Sequence, residues 1–276
     1  MDPAGQSSYS APEAEVLPPE TQPQNRRSSG WNFLAAPATY TLVGVNCAVF
    51  AWMVLHGVSP TLPSSRDLQH YGANISVLVL EGQWWRLLTA MFVHVGMLHL
   101  ATNMWCLWNL GLLGEPLLGR RGMIFVYILT GAAGNLLSMA FNVMACIWDR
   151  DWCPLMGSAG AGASGAVFGL AGILIVLLSN RNLPIPWPEL KKLRGSVIQF
   201  AILNLAIGLA TMVFDTGIHI DNMAHVGGFV CGLAMGFPLL PRMTSGREKY
   251  LTRQTVTFLG AGLVLALFGY WLAHLR

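Results

Sequence analysis

From Tyr40 onward the chain alternates long apolar runs with short polar joints rich in glycine and proline. Seven runs, near 39–56, 92–113, 122–145, 162–179, 196–214, 222–240 and 254–273, are predicted to span about 30 Å of hydrocarbon at about 1.5 Å per residue. Such runs must be helical in lipid, because an isolated strand leaves its backbone groups unpaired there. The stretch from His56 to Met91 differs: polar turns alternate with Ile75-Ser76-Val77-Leu78-Val79-Leu80 and Trp84-Trp85-Arg86. It predicts a loop on or in the membrane interface, where tryptophan is favoured. Residues 1–37 are rich in Pro, Ser, Gln and Glu and poor in apolar side chains, so a disordered tail is expected. They lack the basic start and early apolar core of a cleaved signal peptide, which leaves targeting to the first spanning helix.

Composition sharpens this into an all-α, polytopic membrane bundle. Of 276 residues, 54% are hydrophobic and 11% charged, too few charges to cover a soluble domain of this size. The net charge of +3 is too small and scattered to point to nucleic acid. Cys47, Cys106 and Cys231 lie inside apolar runs, while Cys146 and Cys153 flank a polar loop. They make no spaced ligand set, so most read as small buried hydrophobes and no metal is expected.

Charge also sets a predicted orientation. With seven crossings, Arg26, Arg27, Arg120, Arg121, Arg181, Lys191, Lys192, Arg194, Arg242, Arg247, Lys249 and Arg253 fall on one side. Only Arg66, Arg86, Arg150 and Arg276 fall on the other. The positive-inside rule then predicts a cytoplasmic N-terminus and an external C-terminus.

The candidate chemistry lies near the outer ends of three runs. Ser164, within Gly162-Ala163-Ser164-Gly165, is 16 residues before Asn180; His225 is 16 before Pro241, and His99 is 16 before Glu115. Each is therefore expected roughly 24 Å above the inner end of its helix. A serine hydroxyl becomes a useful nucleophile when a base takes its proton, and histidine is the usual base. Ionisable groups inside a bilayer commonly face the bundle interior and mark function. Taken singly, Ser164 reads as a packing residue and each histidine as interfacial; their shared level is what raises them. Gly157, Gly160, Gly162 and Gly165 allow a tight entry to the fourth run, and Gly165-x3-Gly169 and Gly228-x3-Gly232 suit close approach of two membrane helices.

Trp85-Arg86, His94-x4-His99-x3-Asn103, Gly162-x-Ser164-Gly165 and Ala224-His225-x2-Gly228-x3-Gly232 together resemble the rhomboid family of intramembrane serine proteases, over roughly residues 40–240. The resemblance implies a six-helix core over 38–241, preceded by the tail and followed by a linker and an added seventh helix over 242–276. It implies Ser164 as nucleophile, His225 as general base, and His99 and Asn103 as side chains that help the Ser164 amide stabilise the oxyanion. Asp221 is expected to be a helix cap, His94 structural, and Phe168 a ring stacked on His225 where some members carry tyrosine. Glu115 reads as an ion-pair site for Arg120 and Arg121, and Trp85-Arg86 as an interfacial anchor with a snorkelling arginine. His56, His70, His219 and His274 read as ordinary polar residues.

The implied activity is endopeptidase cleavage of single-pass membrane proteins near the outer membrane boundary, in the cell membrane, with no cofactor, metal or nucleotide. Substrate segments must unwind locally, so small residues and Gly or Pro near the cut are expected to be preferred. Two other classes fit less well. A non-catalytic relative that binds transmembrane clients has no need of both Ser164 and His225, and a proton-coupled carrier calls for an inverted repeat and a central acidic residue, neither of which the chain shows.

Overall fold

A computed structural model describes residues 36–214, 220–240 and 246–275. Residues 1–35 of the expected N-terminal tail, His219, Arg242 and Arg276 lie outside the described residues. Among those described, the architecture is all-helical: α1 Pro37–Leu55, α2 Ser65–His70, α3 Ser76–Leu80, α4 Arg86–Thr89, α5 Met97–Trp148, α6 Ser164–Leu177, α7 Trp187–Val213, α8 Asn222–Gly236 and α9 Arg247–Ala273. Short 3₁₀ turns cover Ala90–Phe92 and Arg150–Gly157.

Helix α5 holds two of the expected spans. Pro116 interrupts its backbone bonding, and at Gly119 the backbone turns to φ 73°, ψ 166°, a conformation glycine reaches without a Cβ penalty. The limbs 97–118 and 120–148 form around this bend. Among the described residues four helices, α1, α5, α7 and α9, are long and apolar enough to cross a membrane. Helices α6 and α8 are shorter than the sequence predicts, with 14 and 15 residues. For α6 the reason is packing: twelve of its fourteen residues are buried in protein, so it can end within the bundle.

Polar contacts join the elements. Glu115, at the bend of α5, accepts hydrogen bonds from Ala38 N (3.0 Å), Thr39 N (2.7 Å) and Thr39 Oγ1 (2.8 Å). It therefore caps the first turn of α1, and the expected pairing with Arg120 and Arg121 is not what the carboxylate does. Tyr127 links the second limb of α5 to Asn46 of α1, whose Nδ2 donates to the phenol oxygen at 3.0 Å, and to Met91 O at 3.1 Å. Helix α9 is held by Gln254 Nε2 on Leu118 O (2.7 Å) and Tyr250 Oη on Leu117 O (3.1 Å).

The segment from His56 to Met91 is an ordered cap containing α2 to α4. Arg86 is 6% exposed; its Nε donates to Gln83 Oε1 at 2.7 Å and its Nη1 to Gln69 O (2.8 Å) and Ala73 O (3.0 Å). The guanidinium thus staples the cap internally instead of reaching for headgroups, which corrects the snorkelling expectation. Asn135 and Asn142 of α5 reach into the same cap, bonding Leu87 O (2.9 Å) and Ser76 Oγ (3.1 Å). The end of α5 and the turn after it carry a second correction: Cys146 and Cys153 are joined in a disulfide, whereas Cys106 and Cys231 are partly buried and Cys47 is exposed.

Candidate active site

Ser164 is the first residue of α6, and the approach to it is pinned on three sides. Asn74 and Gly160 exchange two backbone bonds of 2.8 Å, and Gly162 N donates to Ala90 O at 2.9 Å. Gly162 adopts φ 131°, and a Cβ placed there would lie 2.6 Å from His99 Cε1, so only glycine fits between the strained backbone and the ring. No side chain caps the start of α6. Helices α1 and α8 have carboxylate caps; the first amides of α6 do not.

Opposite this start stands α8. Its N-cap is Asp221, whose Oδ1 accepts from Ala224 N at 2.9 Å and whose Oδ2 accepts from Ser138 Oγ of α5 at 2.5 Å. The cap expectation for Asp221 holds, and both oxygens are engaged away from His225. His225, four residues on, is 6% exposed. Its ring stacks on Phe168, with centroids 4.3 Å apart and planes 12° apart, and its Nδ1 has no hydrogen-bond partner among the described residues.

The backbones of α6 and α8 touch directly. A Cβ at Gly228 would overlap the carbonyl oxygen of Gly165, and one at Gly232 the carbonyl oxygen of Gly169. One turn earlier a Cβ at Gly165 would lie 3.3 Å from Ala224 O. Ser164 and Phe168 are four residues apart on one helix and share a face, and it is Phe168 that covers the His225 ring. Contact therefore sets the common level of the two helix starts, not the residue count from their inner ends, which differ between the two helices. No hydrogen bond joins Ser164 Oγ to His225 among the described residues.

His99 and Asn103 lie in the first two turns of α5. Val95 N donates to His99 Nδ1 at 3.3 Å, which leaves the ring proton on Nε2, beside Gly162. Asn103 is buried, and its Nδ2 donates to His99 O at 2.9 Å, so its amide is folded back on its own helix. His94 has a larger part than spacing suggests. Fully buried, it accepts Ala163 N on Nε2 at 3.4 Å while its Nδ1 donates to Phe92 O at 3.3 Å. It thereby holds the residue that precedes Ser164. His56 and His274 bond carbonyls of their own helices, Trp52 O and Tyr270 O, both at 2.8 Å, as ordinary polar residues do. Ser138 carried no local signal, and His94, expected to be structural, showed no partner in the sequence; only the fold brings them to Asp221 and Ala163.

The rhomboid domain model matches residues 81–242. The chain belongs to the rhomboid family. Rhomboid protease GluP of Bacillus subtilis is 31% identical over 201 residues, 72% of this chain and 35% of its own length. Rhomboid-like protease 2 of Toxoplasma gondii is 30% identical over 195 residues, 70% of this chain and 62% of its own. Rhomboid protease AarA of Providencia stuartii is 29% identical over 214 residues, 75% of this chain and 74% of its own. This rhomboid thus spans less than two thirds of the first two relatives. Family membership and the helical spans make it a multi-pass membrane protein.

Proposed function

We propose that this rhomboid is an intramembrane serine endopeptidase that works with a Ser164–His225 dyad. The observation that carries the reading is the stack of His225 on Phe168, one helical turn beyond Ser164, at a crossing where Gly165 and Gly228 let the backbones meet. His225 takes the Ser164 Oγ proton as the oxygen attacks a substrate carbonyl; it then returns that proton to the leaving amine. Water, deprotonated in turn by His225, releases the acyl group and regenerates the serine. The uncapped start of α6 aims the Ser164 amide and the positive helix end at the developing oxyanion. His99, with its proton on Nε2, donates from the Gly162 side, and Asn103 joins by turning its amide away from His99 O. The engaged Asp221 takes no part as a third member.

Substrates on this reading are single-pass transmembrane proteins, opened locally near their outer end. The excess of basic residues at the opposite end supports an outward-facing site, as does the Cys146–Cys153 disulfide, a bond that persists in oxidising compartments. A fluorophosphonate probe tests the reading: wild-type protein is expected to be labelled and Ser164→Ala to remain blank. Failure of the folded wild type to react favours a client-binding protein without catalysis. Asn103→Ala is expected to raise the barrier by about 3 kcal/mol, a loss of roughly 10²–10³ in kcat, measured on a transmembrane reporter. An unchanged kcat removes Asn103 from the oxyanion set.

A further inference from the structure

At the end of α6 remote from Ser164, a cleft of about 470 Å³ opens between the ends of α6 and α8. Val176, Leu233, Phe237 and Leu240 form its apolar wall, and Ser179 and Arg181 stand at its lip. The cations there converge without a counter-charge. Arg181 Cζ lies 4.5 Å and Arg194 Cζ 5.7 Å from the centroid of one ring, Trp187, and Arg194 Nη1 donates to Ser179 Oγ at 3.1 Å. Neither arginine is in an ion pair among the described residues. Beside Leu240, Arg253 Nη1 bonds Pro238 O (3.3 Å) and Leu240 O (3.2 Å), while its Nε and Nη2 are buried with no partner.

Two guanidiniums on one indole repel unless an anion sits between or above them, and the planar fork of arginine matches phosphate oxygens two at a time. An inorganic anion satisfies that need but leaves the apolar wall wet. The wall lies at the end of the apolar α6 run, where the polar Ser179, Asn180 and Arg181 follow. A ligand with a phosphate at one end and an alkyl chain at the other meets both demands, and basic pockets between membrane helices hold such headgroups.

We propose that the cleft holds one anionic phospholipid, its phosphate on Arg181 and Arg194 and one acyl chain along Val176, Leu233 and Phe237. Because Trp187 and Arg194 belong to α7, the bound lipid ties the inner end of α7 to α6 and α8.

Native mass spectrometry of the full chain, titrated with phosphatidylglycerol and with phosphatidylcholine of the same acyl chains, tests this. One phosphatidylglycerol is expected to survive collisional stripping, with affinity about tenfold above phosphatidylcholine. Arg181→Gln/Arg194→Gln is expected to erase that preference. Lys191→Gln/Lys192→Gln, which removes the same charge from exposed positions on α7, is expected to keep it. Should the arginine pair not fold, Arg181→Gln alone, at an exposed position, carries the comparison. Equal retention of both lipids overturns the proposal, as does equal loss in the lysine variant, which marks general surface charge. Displacement of the lipid by inorganic phosphate also overturns it, since the ligand is then the free anion.

Discussion

Replacing His225 with alanine, with Ser164 intact, is expected to lower cleavage of a transmembrane reporter by about 10⁴-fold or more. The hydroxyl keeps its place at the start of α6, but nothing then removes its proton or returns one to the departing amine. The fold has little reason to change, because α8 is started by Asp221 and Ser138 and packed by glycine contacts one turn further on. Nucleophile and base act as one unit, so Ser164→Ala/His225→Ala should be no slower than either single variant. The dyad fails as an explanation if His225→Ala retains turnover within tenfold of wild type, or if the double variant multiplies the single losses.

Gly228→Ala is expected to disrupt both stability and turnover. The new methyl meets the carbonyl oxygen of Gly165, a backbone atom in the first turn of a buried helix, and no side chain can swing aside to relieve it. Overpacking at such a point destabilises by about 3 kcal/mol, read as a lower unfolding midpoint in detergent. Forcing α8 outward also moves His225 off the α6 face that bears Ser164, so residual activity should fall further than the folded fraction does. Gly44→Ala is the matched control. Gly44 is an exposed glycine in α1 with nothing within 4 Å of its Cβ position, and alanine there should stabilise the helix by up to about 1 kcal/mol. Equal behaviour of the two variants would show that helix propensity, not the α6–α8 contact, governs this crossing.

Much of this was legible in the chain. Apolar runs located every spanning helix, and the Arg120-Arg121 joint marked the bend that Gly119 makes inside α5. Gly165, Gly169, Gly228 and Gly232 announced the crossing, because glycine spacing on a membrane helix records how closely a neighbour approaches. Helix length was less visible: apolarity records a dry environment but does not distinguish lipid from protein, so α6 and α8 read as full-length spans. Glu115 was misjudged because sequence shows its neighbours Arg120 and Arg121, while its partners Ala38 and Thr39 arrive from another helix. Arg86 reversed its expected direction for the same reason, since its acceptors at Gln69 and Ala73 come together only when the cap folds. His94 and Ser138 gave no periodic signal, because each serves a single backbone or cap group supplied by a distant segment.

The bond between Cys146 and Cys153 closes a ring of eight residues, and cross-linking so small a ring constrains the unfolded chain by about 2.5 kcal/mol. It lies just upstream of Gly160, whose pairing with Asn74 fixes the path into α6. A thiol-rich environment that opened the ring would remove this constraint on that path. The redox potential of the surrounding compartment thereby becomes a determinant of how firmly Ser164 is presented, at a distance and without touching either member of the dyad.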